Sequence, residues 1–202
     1  EMEGATILTA NWMKTAVIEN LGNGKFELKA LPIEAQLAPV YAILPYDLNQ
    51  DGQIDLLMIG NDHGIEVQQG RADAFNGLAL VNQGGFEFQP LSLAESNFMV
   101  RGDGIGMATI GLETGQELIL ATQHRGSLRA FELKNENKGQ VIPLQQTEVK
   151  ARHFLADGKQ QVEELYWGSS FLSQRGRYVM KSPNVSKIEL LAADGTVSRT
   201  IE

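Results

Sequence analysis

The sequence contains no cysteine, which excludes disulfides and thiolate metal sites while leaving the compartment open. No apolar run approaches the roughly 18 residues that a membrane-spanning helix needs. Runs of lysine or arginine are also missing, and the formal net charge is -8. Nucleic acid and anionic membrane surfaces, which call for a basic footprint, are therefore not expected partners. The usual marks of catalysis are absent as well: no G-x-S-x-G elbow, no phosphate loop, no H-E-x-x-H pair. His63, His124 and His153 are dispersed along the chain and read as ordinary surface or half-buried histidines. No catalytic residue is assigned, and the chain is not expected to be an enzyme. It begins at Glu1 with neither an initiator methionine nor a signal peptide, which reads as a processed or excised piece of something longer.

What the chain does have is punctuation. Its 202 residues are 43% hydrophobic and include 21 glycines, enough apolar surface for a core and enough turns for many short strands. The expected class is all-β.

The most specific stretch is Asp47-Leu48-Asn49-Gln50-Asp51-Gly52-Gln53-Ile54-Asp55, followed at once by Leu56-Leu57-Met58-Ile59-Gly60. Oxygen-bearing side chains stand at loop positions one, three, five and nine, a backbone carbonyl is available at seven (Gln53), and Gly52 permits a sharp turn at six. An EF-hand would need a bidentate glutamate at position twelve at the start of a helix. Position twelve is Met58, which also removes the acidic last ligand of dockerin-type loops. The aliphatic exit segment reads as a strand buried on both faces. A turn rich in Asp, Asn and Gly for backbone reasons alone is the plainer alternative, but it does not require an acid at position nine. Asp55 there fits the D-x-D-x-D-G-x-x-D loop of FG-GAP repeats, so the expected cofactor is Ca2+, held by Asp47, Asn49, Asp51, Gln53 and Asp55. Three close carboxylates at this spacing suit one cation better than a general acid and base.

A weak internal repeat of about 60 residues lies in the range of propeller blades and arrays. Ile18-Glu19-Asn20-Leu21-Gly22-Asn23-Gly24-Lys25-Phe26-Glu27-Leu28 is echoed by Leu80-Val81-Asn82-Gln83-Gly84-Gly85-Phe86-Glu87-Phe88. The metal hairpin has a shorter counterpart in Leu112-Glu113-Thr114-Gly115-Gln116-Glu117-Leu118-Ile119-Leu120-Ala121, without the aspartate ladder and so expected to be metal-free. Together with Glu34 to Val40 and Gln69 to Gly77, this order of pieces resembles the FG-GAP/VCBS repeat proteins and their relatives with an ASPIC/UnbV domain. Gly168-Ser169-Ser170-Phe171-Leu172-Ser173-Gln174, then Lys187 to Leu190 and Asp194 to Val197, is similar to the ASPIC/UnbV corner and final hairpin. That family's Gly-Leu-Gly after the corner has no counterpart around Val179 to Pro183.

The resemblance implies an incomplete β-propeller of about two FG-GAP/VCBS-type blades over residues 1–138 and a small antiparallel, ASPIC/UnbV-like β domain over 139–202. The residues support the same division. Lys134 to Gly139 is polar, Val149 to Phe154 and Val162 to Trp167 alternate, and Asp157-Gly158 and Asp194-Gly195 are hairpin turns. A closed propeller uses four to eight blades. The open faces are therefore expected to be covered by further blades upstream or by self-association.

Weaker candidates remain. Gln69, Arg71, Asp73 and Asn76 form a polar excursion after the metal hairpin that could bind a ligand's hydroxyls or carboxylate; an Arg71–Asp73 pair or backbone hydrogen bonds holding the loop is the ordinary explanation. Arg101-Gly102-Asp103 reads as a glycine-rich turn. Trp12 and Trp167 are expected in the core or on a sheet face. The whole reads as a calcium-stabilised binding or interaction module for a protein or carbohydrate ligand, secreted, periplasmic or on the outer envelope of a bacterium. Alternatives are a non-catalytic fragment of a carbohydrate-active propeller enzyme, whose catalytic residues lie on other blades, or a structural spacer of an adhesin-like protein.

Overall fold

The computed structural model describes the chain except residues 1–3, 5, 7, 69, 134–138, 169–173 and 175. The protein is all-β, built from several antiparallel sheets with no closed barrel among the described residues. Strands β1 (Ala16–Gly22) and β2 (Lys25–Ala30) form a hairpin. Its two-residue turn, Asn23-Gly24, has φ of 52° and 72°, the paired left-handed conformation whose twist matches that of the strands.

Strands β3 (Val40–Tyr46), β4 (Asp55–Gly60), β5 (Leu78–Asn82) and β6 (Phe88–Pro90) follow as an up-and-down meander in sequence order. The apolar run of β4 places it inside the sheet. Leu57 and Ile59 point into one core and Met58 into another, so both faces are buried as the uninterrupted pattern requires. The short helix α1 (Leu93–Ser96) comes next, started by a capping box between Ser92 and Glu95. Strands β7 (Gly104–Gly111), β8 (Glu117–Gln123) and β9 (Arg129–Glu132) make a second meander.

These two meanders pack face to face. Ala42, Leu44, Leu57, Ile59 and Ala79 of the first meet Met107, Ile119 and Ala121 of the second, with Phe98 and Val100 between. The close approach explains a glycine: a Cβ on Gly104 would stand 3.0 Å from the Cβ of Ile59. The opposite face of the first meander is covered by Leu31, Ala35 and Phe75, with Val17 of β1 packed against them. The outer face of the β1–β2 hairpin stays open, with Ile18 62% and Phe26 64% exposed.

The remaining strands are β10 (Gln140–Pro143), β11 (Lys150–Leu155), β12 (Gln160–Glu164), β13 (Tyr178–Lys181), β14 (Val185–Leu191) and β15 (Val197–Ile201). β10 pairs with β13, and the others form a sheet in the order β12-β11-β14-β15. Burial alternates along β11 and β12 as the residue pattern predicts. Gly158 and Gly195 take φ of 86° and 84° in the two Asp-Gly turns. Ile142, Ala151, Val179, Ile188 and Leu190 form a core of their own. Every strand pairing joins partners on the same side of residues 134–138. Among the described residues no helix is long and apolar enough to cross a membrane.

Candidate functional site

The aspartate-rich loop connects β3 to β4, and its side chains fold back onto its own backbone. Asp47 accepts from the N–H of Asp51 at 3.1 Å and of Gly52 at 3.0 Å. Asn49 Oδ1 accepts from the Asp51 N–H, and its Nδ2 donates to the Asp51 carboxylate at 2.9 Å. Asp51 Oδ1 accepts from the Gln53 N–H at 2.7 Å. Such short side-chain-to-backbone bonds are what Asp and Asn offer in place of a regular turn. The two sharp corners are Gln50, with φ of 61°, and Gly52, with φ of 83°.

Asp55 is different. It is fully buried, and its two oxygens accept from the N–H of Leu48 and of Asn82, each at 2.8 Å. One carboxylate thus ties the loop, the start of β4 and the end of β5. Burial pushes the Asp55 carboxyl above its ordinary value, opposed by those N–H bonds. Burial also raises Asp47, and the charges of Asp51 and Asp55 add to the shift against the Gly52 N–H bond.

The chemistry of this donor set fits a hard cation: it is all oxygen, and its three carboxylates repel one another. No Lys, Arg or His among the described residues forms an ion pair with any of them. The acids are turned toward N–H groups, however, and no three His, Asp or Glu side chains among the described residues already converge as a ligand set. Each loop oxygen engaged by one N–H retains a second lone pair. Asp47, Asn49, Asp51 and Asp55, with the Gln53 carbonyl, are the residues that could hold calcium.

The second candidate leaves the opposite end of β4, at about 17 Å from Asp55 by the rise of an extended strand. Gln69 lies outside the described residues; Arg71 and Asp73 are both exposed. The excursion is held by backbone bonds between Asp62 and Ala72, and by Asn61, fully buried with φ of 86°. Asn61 Oδ1 accepts from the Phe75 N–H at 2.9 Å, and its Nδ2 donates to the carbonyls of Phe75 and Gly102 at 2.6 and 2.9 Å. Asn61→Ala strands these groups in the interior. It should cost about 2–3 kcal/mol, since buried groups left unpaired cost about 1–3 kcal/mol, and urea unfolding would measure it.

Other single residues fall as follows. His63 and His153 are at least partly buried and His124 is exposed. His153 Nε2 lies 3.3 Å from Glu163. Trp12 and Trp167 are not core residues: they are 45% and 54% exposed, and the guanidinium of Arg177 stacks on the Trp167 ring at 4.3 Å. The corner at Ser169 to Ser173 lies outside the described residues.

Two features have no motif to announce them. Glu117 is buried between two phenols, accepting from Tyr46 and from Tyr178 at 2.6 Å each, and Tyr178 also meets Thr109 at 2.8 Å. This cluster joins β3, β7 and β8 to β13. Burial first, then the Glu117 charge, drives the Tyr46 phenol far above its ordinary value. The other feature is an open cleft of about 760 Å³ between the two meanders, lined by Leu48 of the aspartate-rich loop, Leu57, Leu91, Phe98, Ile119 and Phe131. Its size is that of ligand clefts in general. Comparison with protein families, with curated proteins and with solved structures gives no match.

Proposed function

We propose that this chain is a calcium-stabilised binding or interaction module, built from blades of an incomplete FG-GAP/VCBS-type propeller and an ASPIC/UnbV-like C-terminal domain, working outside the bacterial cytoplasm. The observation that carries the reading is the loop from Asp47 to Asp55: three carboxylates with no basic ion-pair partner among the described residues, on a hairpin whose exit strand is buried on both faces. The up-and-down order β3-β4-β5-β6, and the second meander packed against it, are the arrangement consecutive blades would take.

In this reading Asp47, Asn49, Asp51 and Asp55 and the Gln53 carbonyl hold one Ca2+, which neutralises the carboxylates and ties β3, β4 and β5 at one end. The cation has a structural task. Ligand recognition falls to surfaces elsewhere. The exposed Arg71 and Asp73, at the far end of β4, are the polar anchors for a carbohydrate or protein ligand, and the open apolar face of the β1–β2 hairpin is a place for further blades or a second copy.

Calorimetric titration of EDTA-stripped protein tests this. One equivalent of calcium should be taken up by the wild type, Asp51→Ala should lose the uptake, and Arg71→Ala should leave it unchanged. No uptake by the wild type overturns the proposal. Uptake that survives Asp51→Ala removes the loop as the site.

A further inference from the structure

The outer side of the metal loop is gripped by the C-terminal domain. Gln161, on the edge strand β12, donates its Nε2 to the Gly52 carbonyl. Asn184, in the turn between β13 and β14, donates its Nδ2 to the Gln50 carbonyl at 3.4 Å. Leu155, at the end of β11, closes over Gly52: a Cβ there would stand 3.2 Å from its methyl group and 3.5 Å from Asn184 Nδ2. Gly52 is thus fixed twice, by its left-handed backbone and by lack of room.

Both accepting carbonyls belong to the two residues with positive φ, Gln50 and Gly52. A residue other than glycine held there stores backbone strain and persists only where its surroundings hold it. The surroundings that hold Gln50 include Asn184. The same side chain leaves its Oδ1 buried without a hydrogen-bond partner among the described residues, so the contact is kept despite an unmet acceptor.

We propose that Gln161 and Asn184 are positioning residues of the calcium site: from a different domain they preset the loop corners on which Asp47, Asn49 and Asp51 depend. This rests on the calcium reading above and extends it, because neither residue belongs to the loop's donor set. Preorganisation raises affinity by removing the cost of ordering the loop at the moment of binding. By linkage the effect is reciprocal, and calcium in the loop tightens the domain's hold by the same factor. The metal loop then serves as the latch between the blades and the C-terminal sheet, alongside the Tyr178–Glu117 contact.

The test replaces each donor by a side chain of similar shape that cannot donate, Gln161→Met and Asn184→Leu, with Gln160→Met as a neighbouring control. Calcium dissociation constants come from titration of the whole chain. Each hydrogen bond contributes about 0.5–1.5 kcal/mol net, so each variant should weaken calcium binding roughly 2- to 12-fold, with the control unchanged. Hydrogen exchange is the second readout: calcium should slow exchange in the peptides covering Gln160–Glu164 and Ser182–Val185 of the wild type, and less in either variant. Unaltered calcium affinity in both variants, or exchange there indifferent to calcium while the wild type binds it, overturns the positioning role and leaves the metal site standing. A wild type that takes up no calcium overturns both.

Discussion

Replacing Glu148 by alanine is expected to destabilise the sheets of β10 to β15 by about 2–4 kcal/mol, because a fully buried acceptor is lost and each polar group left unpaired costs about 1–3 kcal/mol, while Arg199 is 32% exposed and keeps water as a partner. Glu148 is fully buried, between β10 and β11. Its carboxylate accepts from Arg199 twice, at 2.7 and 2.8 Å, from the Gln145 N–H at 2.7 Å and from Ser198 at 3.2 Å. Removing it leaves the Gln145 N–H and the Ser198 hydroxyl without this acceptor, and the Arg199 guanidinium with the Pro143 carbonyl at 2.8 Å. Differential scanning calorimetry should show the melting temperature falling by about 4–16 °C, at 2–4 °C per kcal/mol for a chain of this size. Lys159, paired with Asp157 at the surface, is the control, and Lys159→Ala should cost under about 1 kcal/mol. An equal effect from the two substitutions would sink the argument.

The pH dependence follows with its sign. The Arg199 hydrogen bonds hold the Glu148 carboxyl below its ordinary value, against the opposing effect of burial. A carboxyl lower in the folded chain contributes stability above its unfolded value of 4.5, and that contribution is lost as pH falls through the folded value. Glu148→Gln should therefore narrow the gap to the wild type as the solution is acidified below about pH 4.5.

Little of this was legible in the residues around Glu148. A lone glutamate before Val149 carries no motif, and its partner Arg199 lies on the last strand, 51 positions on. The features that were legible are local. The uninterrupted aliphatic run of β4 announces a strand inside a sheet, the alternation from Val149 to Phe154 announces one with two unlike faces, and Asn23-Gly24 and Asp157-Gly158 announce their turns because few other residues accept those backbone angles. Pairings between distant strands, such as β10 with β13, left no trace in local pattern. Trp12 and Trp167 were expected in the core or on a sheet face and instead lie half exposed outside the strands, since an indole with a backbone carbonyl or a guanidinium as neighbour needs no core to satisfy it.

The candidate site divides in the same way. Its loop is contiguous, so the order of Asp47, Asn49, Asp51, Gly52 and Asp55 is enough to propose it, and the structure puts them on the β3–β4 connection and the first residue of β4. What surrounds the loop is not contiguous. Gln161 and Asn184 reach it across separations of 109 and 134 residues, and Glu117 gathers Tyr46 and Tyr178 from two other strands. The excursion bearing Arg71 follows the β3–β4 hairpin in sequence, and the length of β4 carries it to the opposite end of the sheet from the loop.

Calcium should raise the melting temperature. A ligand bound only by the folded chain stabilises it by RT ln(1 + [L]/Kd), about 2.7 kcal/mol when free calcium stands 100-fold above Kd. For a chain of this size that is about 5–11 °C. The size of the effect has a visible origin: Asp47 and Asp55 are raised by burial, with Asp51's charge adding to both, in a loop with no described basic ion-pair partner. A divalent ion removes that repulsion, while monovalent salt only screens it. Magnesium should rescue poorly, because it demands a near-ideal octahedron at about 2.0–2.1 Å and gives up its water reluctantly, whereas a loop of mixed carboxylate, amide and carbonyl oxygens suits the larger, more tolerant ion. Asp51→Ala removes one carboxylate and the cap on the Gln53 N–H, and should abolish the calcium-dependent shift while leaving a folded chain. Melting curves in EDTA, calcium and magnesium decide the matter. Equal stabilisation by the two ions, or a shift that persists in Asp51→Ala, would mean that charge screening and not coordination is at work.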